Sequence, residues 1–247
     1  MNLYADAQTI LREAIAAVQP EAAVTRALAQ LPPCHGRRIL VAVGKAACPM
    51  ASAALQALDG HVHAGIVITK HGHGVPLPAP LQVLEAGHPV PDAATYAATA
   101  QALALTANLT PADQVLFLLS GGGSALFEQP LLPPQELADV TQQLLACGAA
   151  ITQVNTIRKR LSAVKGGRFA LHCAPAQVWS VVLSDVLGDR LDMIASGPAC
   201  PDRSTAEEAL EIVNRYALRL SPQALACLRR PTPSALPNAQ SIVTGSV

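Results

Sequence analysis

The 247-residue sequence is short of aromatics and of charge, with three Phe, three Tyr, one Trp and only 14% charged residues. So few rings exclude an aromatic binding surface. Equal numbers of basic and acidic residues, 17 of each, exclude the electrostatic footprint of a nucleic-acid binder. No apolar run approaches the roughly 20 residues that cross a bilayer. The start, Met1-Asn2-Leu3-Tyr4-Ala5-Asp6, lacks the basic segment of a signal peptide. A cytoplasmic protein without a membrane partner is expected. Cysteines at 34, 48, 147, 173, 200 and 227 form no Cys-x-x-Cys pair. In a reducing compartment they read as small core fillers, not as disulfides or zinc ligands. The His-x-His pairs at 61/63 and 71/73 have no Cys or Asp cluster to complete a metal site.

Known phosphate and nucleophile fingerprints are missing too. No Gly-x-Gly-x-x-Gly follows the first strand, no Gly-x-x-x-x-Gly-Lys-Ser/Thr is present, and no Gly-x-Ser-x-Gly elbow holds a nucleophile.

What remains is small and apolar. Alanine-rich segments alternate with short apolar runs, and the length suits one large α/β domain or two small ones. Helix is expected over 6–31, divided at Pro20 and ended by Pro32-Pro33. Strands are expected at 38–43, 64–69, 81–85, 115–119, 178–183 and 241–244. Between them lie helices at 47–58, from an Asp92 cap toward Leu109, and at 135–146, 152–161, 163–172 and 205–218. The proline- and alanine-rich stretch 221–238 reads as a connecting segment. Such alternation predicts an α/β fold, a Rossmann-like, mostly parallel sheet with helices on both faces.

In such sheets ligands collect beyond the carboxyl ends of the strands. Five polar loops fall at that predicted edge: Gly44-Lys45, Lys70-His71-Gly72, Gly87-His88 with Asp92, Ser120-Gly121-Gly122-Gly123-Ser124, and Ser184-Asp185 with Asp189. The glycine–serine run offers backbone N–H groups and two hydroxyls, a cradle for phosphate or carboxylate. Lys45 at a helix start gains nothing from the dipole and is explained by a bound anion. Asp185 and Asp189 flank Gly188 and can converge on a cation such as nucleotide-borne Mg²⁺; the alternative for Asp189 is a cap. The densest basic stretch is Arg158-Lys159-Arg160 followed by Lys165-Gly166-Gly167-Arg168. On a helix Asn155 and Lys159 share a face, whereas Arg158 and Arg160 do not. Glycine loops, cations and paired acids together fit phosphoryl transfer. His71, His73 and His88 are the candidate bases, and the sequence does not choose among them.

Six motifs in order carry a resemblance: Val41-Ala42-Val43-Gly44-Lys45-Ala46-Ala47, Gly87 to Asp92, Leu119 to Leu126, Asn155 to Ser162, Lys165 to Arg168, and Ser184-Asp185-Val186 through Ser196-Gly197-Pro198. The chain resembles the MOFRL-type glycerate kinases, or glycerate 2-kinases, whose members often bear the name hydroxypyruvate reductase. The resemblance implies transfer of the ATP γ-phosphoryl group to glycerate, giving 2-phosphoglycerate, with Mg²⁺. It casts Lys45 as the active-site lysine and Asp185 and Asp189 as a catalytic, metal-holding loop. Ser120, Gly121, Gly122, Gly123 and Ser124 would line the cleft, while Arg160, Lys165 and Arg168 are secondary candidates for phosphate or carboxylate. Leu187 stands where relatives commonly have proline. The resemblance also implies that 1–247 is the N-terminal α/β domain, that the family's C-terminal domain, which supplies the facing wall, is absent from it, and that the partner is a second copy in a homodimer or a separate C-terminal chain. The alternatives are an NAD(P)H-dependent hydroxypyruvate reductase and an inactive anion- or partner-binding domain.

Overall fold

The computed structural model describes residues 2–17, 19–184 and 186–245. Two helices, α1 (Leu3–Ala17) and α2 (Pro20–Leu28), precede the first strand, β1 (Arg38–Val43). Then come α3 (Ala47–Ala57), β2 (Ala64–Lys70), β3 (Leu81–Ala86), α4 (Ala93–Leu105) and β4 (Gln114–Leu119). A short helix α5 (Gly123–Leu126) leads to α6 (Pro134–Ala146), α7 (Ile151–Arg160), α8 (Arg168–His172) and β5 (Gln177–Leu183). The chain finishes with α9 (Ala206–Arg215), α10 (Pro222–Arg229) and β6 (Ala239–Gly245).

The six strands form one parallel sheet in the order β3-β2-β1-β4-β5-β6. Burial on both faces explains why the strands read as continuous apolar runs. In β1 the two-residue period sends Ile39, Val41 and Val43 to one core, and Leu40 and Ala42 to the other. The first core holds all three phenylalanines; the rings of Phe117 and Phe169 lie 4.8 Å apart, with Phe127 edge-on to Phe169 at 5.1 Å. Alanines line the second, where α3 lies close on the sheet. A third apolar cluster joins α6, α7, α9 and α10 into a helical layer.

The expected α/β class holds, and two local expectations are corrected. Residues 163–172 are not one helix: Gly166 and Gly167 take φ of +56° and +82°, so only α8 follows a tight turn. The stretch 221–238 is not merely a connection, because Ser221 caps α10 by accepting from the Ala224 amide and Pro222 fits its first turn. Among the described residues no helix is long and apolar enough to cross a membrane.

Candidate active site

The strand order reverses between β1 and β4, which are neighbours in the sheet, so ligand-binding loops are expected to diverge above this pair. Here the β1 and β4 loops are tied together. The Lys45 amide donates to the Gly121 carbonyl at 2.9 Å, and the Ser120 amide to the Val43 carbonyl at 3.0 Å. The Ala46 amide donates to Ser120 Oγ at 3.1 Å. Gly44 is needed where they meet: its φ is +126°, and a Cβ there would lie 2.2 Å from Ser120 Oγ. Ser120 is buried and braces the two loops.

The next residues form the open part of the cradle. The amides of Gly121, Gly122, Gly123 and Ser124 donate to no acceptor among the described residues. They precede and open α5, so their N–H groups and the local backbone dipoles favour an anion. Gly122, at φ +92°, keeps this space clear; a Cβ on it would stand 3.1 Å from the His88 ring and 3.4 Å from Lys45 Cγ. Lys45, Gly122 and His88 therefore share one corner. Lys45 is exposed, and no carboxylate pairs with it among the described residues. Burial, then the charges of Lys45 and Lys70, lower the His88 pKa from its ordinary value. His71 is instead bonded to Asp92, Nε2 to Oδ2 at 2.7 Å, and His73 lies exposed.

Behind the cradle sits a second layer. Arg158 Nη2 donates to the Ser124 carbonyl at 3.0 Å. The Ser124 and Ser196 hydroxyls are 3.2 Å apart, and Ser196 donates to Asn155 Oδ1 at 2.8 Å. Ala195, Ser196 and Gly197 take left-handed φ of 51°, 62° and 64° in succession, a conformation that costs about 1–3 kcal/mol at each non-glycine residue. Surrounding bonds hold it: the amides of Gly166 and Gly167 donate to the Ser196 and Gly197 carbonyls at 3.0 and 2.7 Å. Gly123 gives Ala195 room, since a Cβ there would lie 2.8 Å from the alanine methyl. Lys159 lies between Asp202, 3.3 Å away, and Asp192, 3.7 Å away.

The other predicted cations lie deeper. Lys165 is fully buried; its ammonium donates to the Phe127 carbonyl at 2.7 Å and stands 3.2 Å from Glu128 Oε2. Burial draws its pKa down to about 8 against the opposing pull of Glu128. Arg160 is buried and spends its guanidinium on the carbonyls of Leu228, Arg230 and Ser204. Arg168 donates to the Lys159 carbonyl. Beyond β5, Asp189 holds φ +49° and keeps Oδ1 buried with no hydrogen-bond partner among the described residues. Asp185 lies outside the described residues.

The structure thus gathers Lys45 with Ser120–Ser124 and adds His88, while Arg160 and Lys165 are enclosed in the scaffold. Sequence reasoning missed Glu128 and the partners of Lys159. A lone acid in the apolar stretch 126–132 was the one available signal for Glu128.

A family model described as a domain of unknown function, DUF4147, matches residues 6–229. The chain belongs to the DUF4147 family. This DUF4147 chain is 48% identical over 240 residues to the D-glycerate 2-kinase of Thermotoga maritima, covering 96% of itself and 57% of that protein. It is 40% identical over 221 residues to an Agrobacterium vitis protein provisionally named a hydroxypyruvate reductase, covering 89% of itself and 50% of that protein. A crystal structure of Thermotoga maritima glycerate kinase matches with a TM-score of 0.91 and 46% identity, covering 97% of this chain and 58% of that one. The DUF4147 chain therefore spans between 50% and 58% of the length of these relatives. The resemblance to the MOFRL-type glycerate kinases, drawn from six motifs, is borne out.

Proposed function

We propose that this chain forms the N-terminal α/β wall of an ATP-dependent glycerate 2-kinase, with a facing wall supplied by a further domain or a partner chain. One observation carries the reading: Lys45 and the open amides of Gly121–Ser124 meet at the β1/β4 reversal, beside His88. The likeness to the Thermotoga maritima D-glycerate 2-kinase supports it.

The residues fit a phosphate-bearing cofactor. Glycine at 122 leaves the space that a Cβ would fill, and four amides there have no acceptor among the described residues. Lys45 would neutralise charge on the transferring group, the main need of phosphoryl transfer. In its neutral form the His88 ring can accept a proton from the attacking hydroxyl. The orphaned, buried Oδ1 of Asp189 suits a hard cation, and Asp189 with Asp185 would hold Mg²⁺. Held there, Mg²⁺ would supply positive charge to offset that of the phosphates. Arg160, Lys165 and Arg168 would act from behind the site, fixing the turn and helices that carry it.

The test is incubation of the full chain with glycerate, ATP and Mg²⁺, resolving 2- from 3-phosphoglycerate, with Lys45→Ala as control. With a facing wall supplied, formation of 2-phosphoglycerate, lost in the variant, is expected, and the chain without that wall should form little or none. Folded protein that makes no product with the facing wall present overturns the kinase reading, and NADH oxidation with hydroxypyruvate would point to the reductase instead.

A further inference from the structure

Ser124, Ser196, Asn155 and Met193 form a hydrogen-bonded row leading from the cradle into the protein. Ser196 is fully buried and Asn155 nearly so, while Ser124 is partly exposed at the outer end. The direction of the row follows from its inner end. Asn155 Nδ2 points at Met193 Sδ, 3.6 Å away, and its Oδ1 at Ser196 Oγ, 2.8 Å away. A thioether sulfur accepts weakly and donates nothing. Turning the amide over would set its oxygen against sulfur and leave a buried acceptor unsatisfied. Asn155 Oδ1 therefore accepts, and Ser196 spends its only hydroxyl hydrogen on it.

With that hydrogen committed, Ser196 Oγ can only accept from Ser124, 3.2 Å away. Ser124 in turn spends its hydrogen inward, so what it presents to the cradle is lone pairs. The same loop thus has two unlike faces: backbone N–H groups that take an anion, and a hydroxyl oxygen that repels one. Arg158 on the Ser124 carbonyl, with the Lys45 side chain against Gly122, gives this corner a positive surround that disfavours a metal ion.

We infer that Ser124 is a specificity residue that accepts a hydrogen bond from a hydroxyl of the acceptor substrate, not a phosphate or carboxylate ligand. Ser196 and Asn155 are positioning residues that set its polarity. The inference rests on the proposed kinase reading, because it identifies that ligand as the alcohol of glycerate. The left-handed backbone at Ser196 gains a purpose, since it aims the serine hydroxyl at Asn155.

Two measurements test it. A neutron structure of the full chain should show the Ser124 hydroxyl hydrogen directed at Ser196 Oγ; a hydrogen directed into the cradle overturns the inference with or without any ligand. Calorimetry of the full chain and its Ser124→Ala variant should then use glycerate, lactate and 3-hydroxypropanoate, which differ by single hydroxyls. Losing one neutral hydrogen bond should weaken glycerate binding about 3- to 10-fold. The same variant should leave the affinity of one deoxy ligand unchanged, which names the hydroxyl concerned. Equal weakening for all three ligands, or an effect only on Mg²⁺-nucleotide binding, overturns the inference. Wild-type protein that binds no glycerate overturns the kinase reading, while the neutron map still decides the polarity of Ser124.

Discussion

The Lys45 amide and the Gly121 carbonyl are joined by a 2.9 Å hydrogen bond across the two central strands. The lysine loop and the glycine loop are therefore one rigid unit, and the ammonium is placed by the same contact that shapes the cradle. Phosphoryl transfer, the activity proposed above, depends on such preorganised charge.

Replacing Lys45 with Met should leave the fold intact, because the side chain is exposed and its backbone bond survives. Phosphoryl transfer should fall by about 10²-fold or more, the scale expected when one preorganised electrostatic contact is lost. The variant carries a second readout in His88. Burial is the larger cause of its lowered pKa and Lys45 the next, so removing that charge should move the titration upward. Proton NMR of the ring measures it, and an unmoved His88 would disconnect the two residues.

Gly44→Ala tests the junction itself. The new methyl would meet Ser120 Oγ at 2.2 Å in a backbone conformation that L-residues rarely adopt. A loss of about 1–3 kcal/mol in urea unfolding is expected from the strained backbone alone. Gly122→Ala carries similar backbone strain at φ +92°, but its methyl would meet the side chains of His88 and Lys45 and not Ser120. It should cost about as much stability from strain and in addition weaken binding of nucleotide, read by calorimetry.

The buried pair of Lys165 and Glu128 should behave asymmetrically. Lys165→Met leaves a carboxylate buried alone and should cost about 3–5 kcal/mol. Adding Glu128→Leu should recover much of that loss, since two apolar side chains replace both charges. With the wild-type pair, the Lys165 pKa of about 8 lies below its unfolded value of 10.5. The unfolded chain then binds more protons between those values, so this group's contribution to stability rises as pH increases from 8 to 10.5. The double variant should lack that rise.

Asp92 offers the opposite sign. Burial would raise its carboxyl, but hydrogen bonds from His71, Thr95 and Gly87 outweigh it and hold the pKa at about 2. The depressed value makes its stabilisation complete above the ordinary value of 3.8 and lost as pH falls toward 2. Asp92→Asn keeps a capping oxygen and should flatten the stability profile over that acid range. Asp92→Ala should in addition cost about 1 kcal/mol near neutral pH through the lost cap of α4.

Much of this architecture was legible. Each central strand is an apolar run stopped by a glycine or a serine, and the prediction of loops at one edge followed from parallel order alone. Lys45 and the Ser120–Ser124 run stood out because polar residues directly after buried strands must go somewhere solvated. What the sequence leaves out has one cause: local pattern does not reveal partners distant in the chain. Lys165 is an anion-ligand candidate by sequence, and Glu128, 37 positions earlier by numbering, stands beside it in the core. Arg160 looked similar, yet its guanidinium is used by carbonyls at the end of α10. That helix itself was hidden among prolines, of which Pro222 starts the helix and Pro231 follows it. The role of Asn155 and Lys159 was half visible as a shared helical face, but Ser196, Asp192 and Asp202 arrive from a separate loop.

The bond from Ala46 to Ser120 spans 74 positions of sequence. No early, local piece of the folding chain can therefore contain the cradle; it comes into being only when β1 and β4 close side by side, a slow, non-local step. A ligand held there binds the completed fold and not its precursors, so it should protect the chain from thermal unfolding in proportion to its occupancy. Recognition and completion of the central sheet are, in this molecule, the same event.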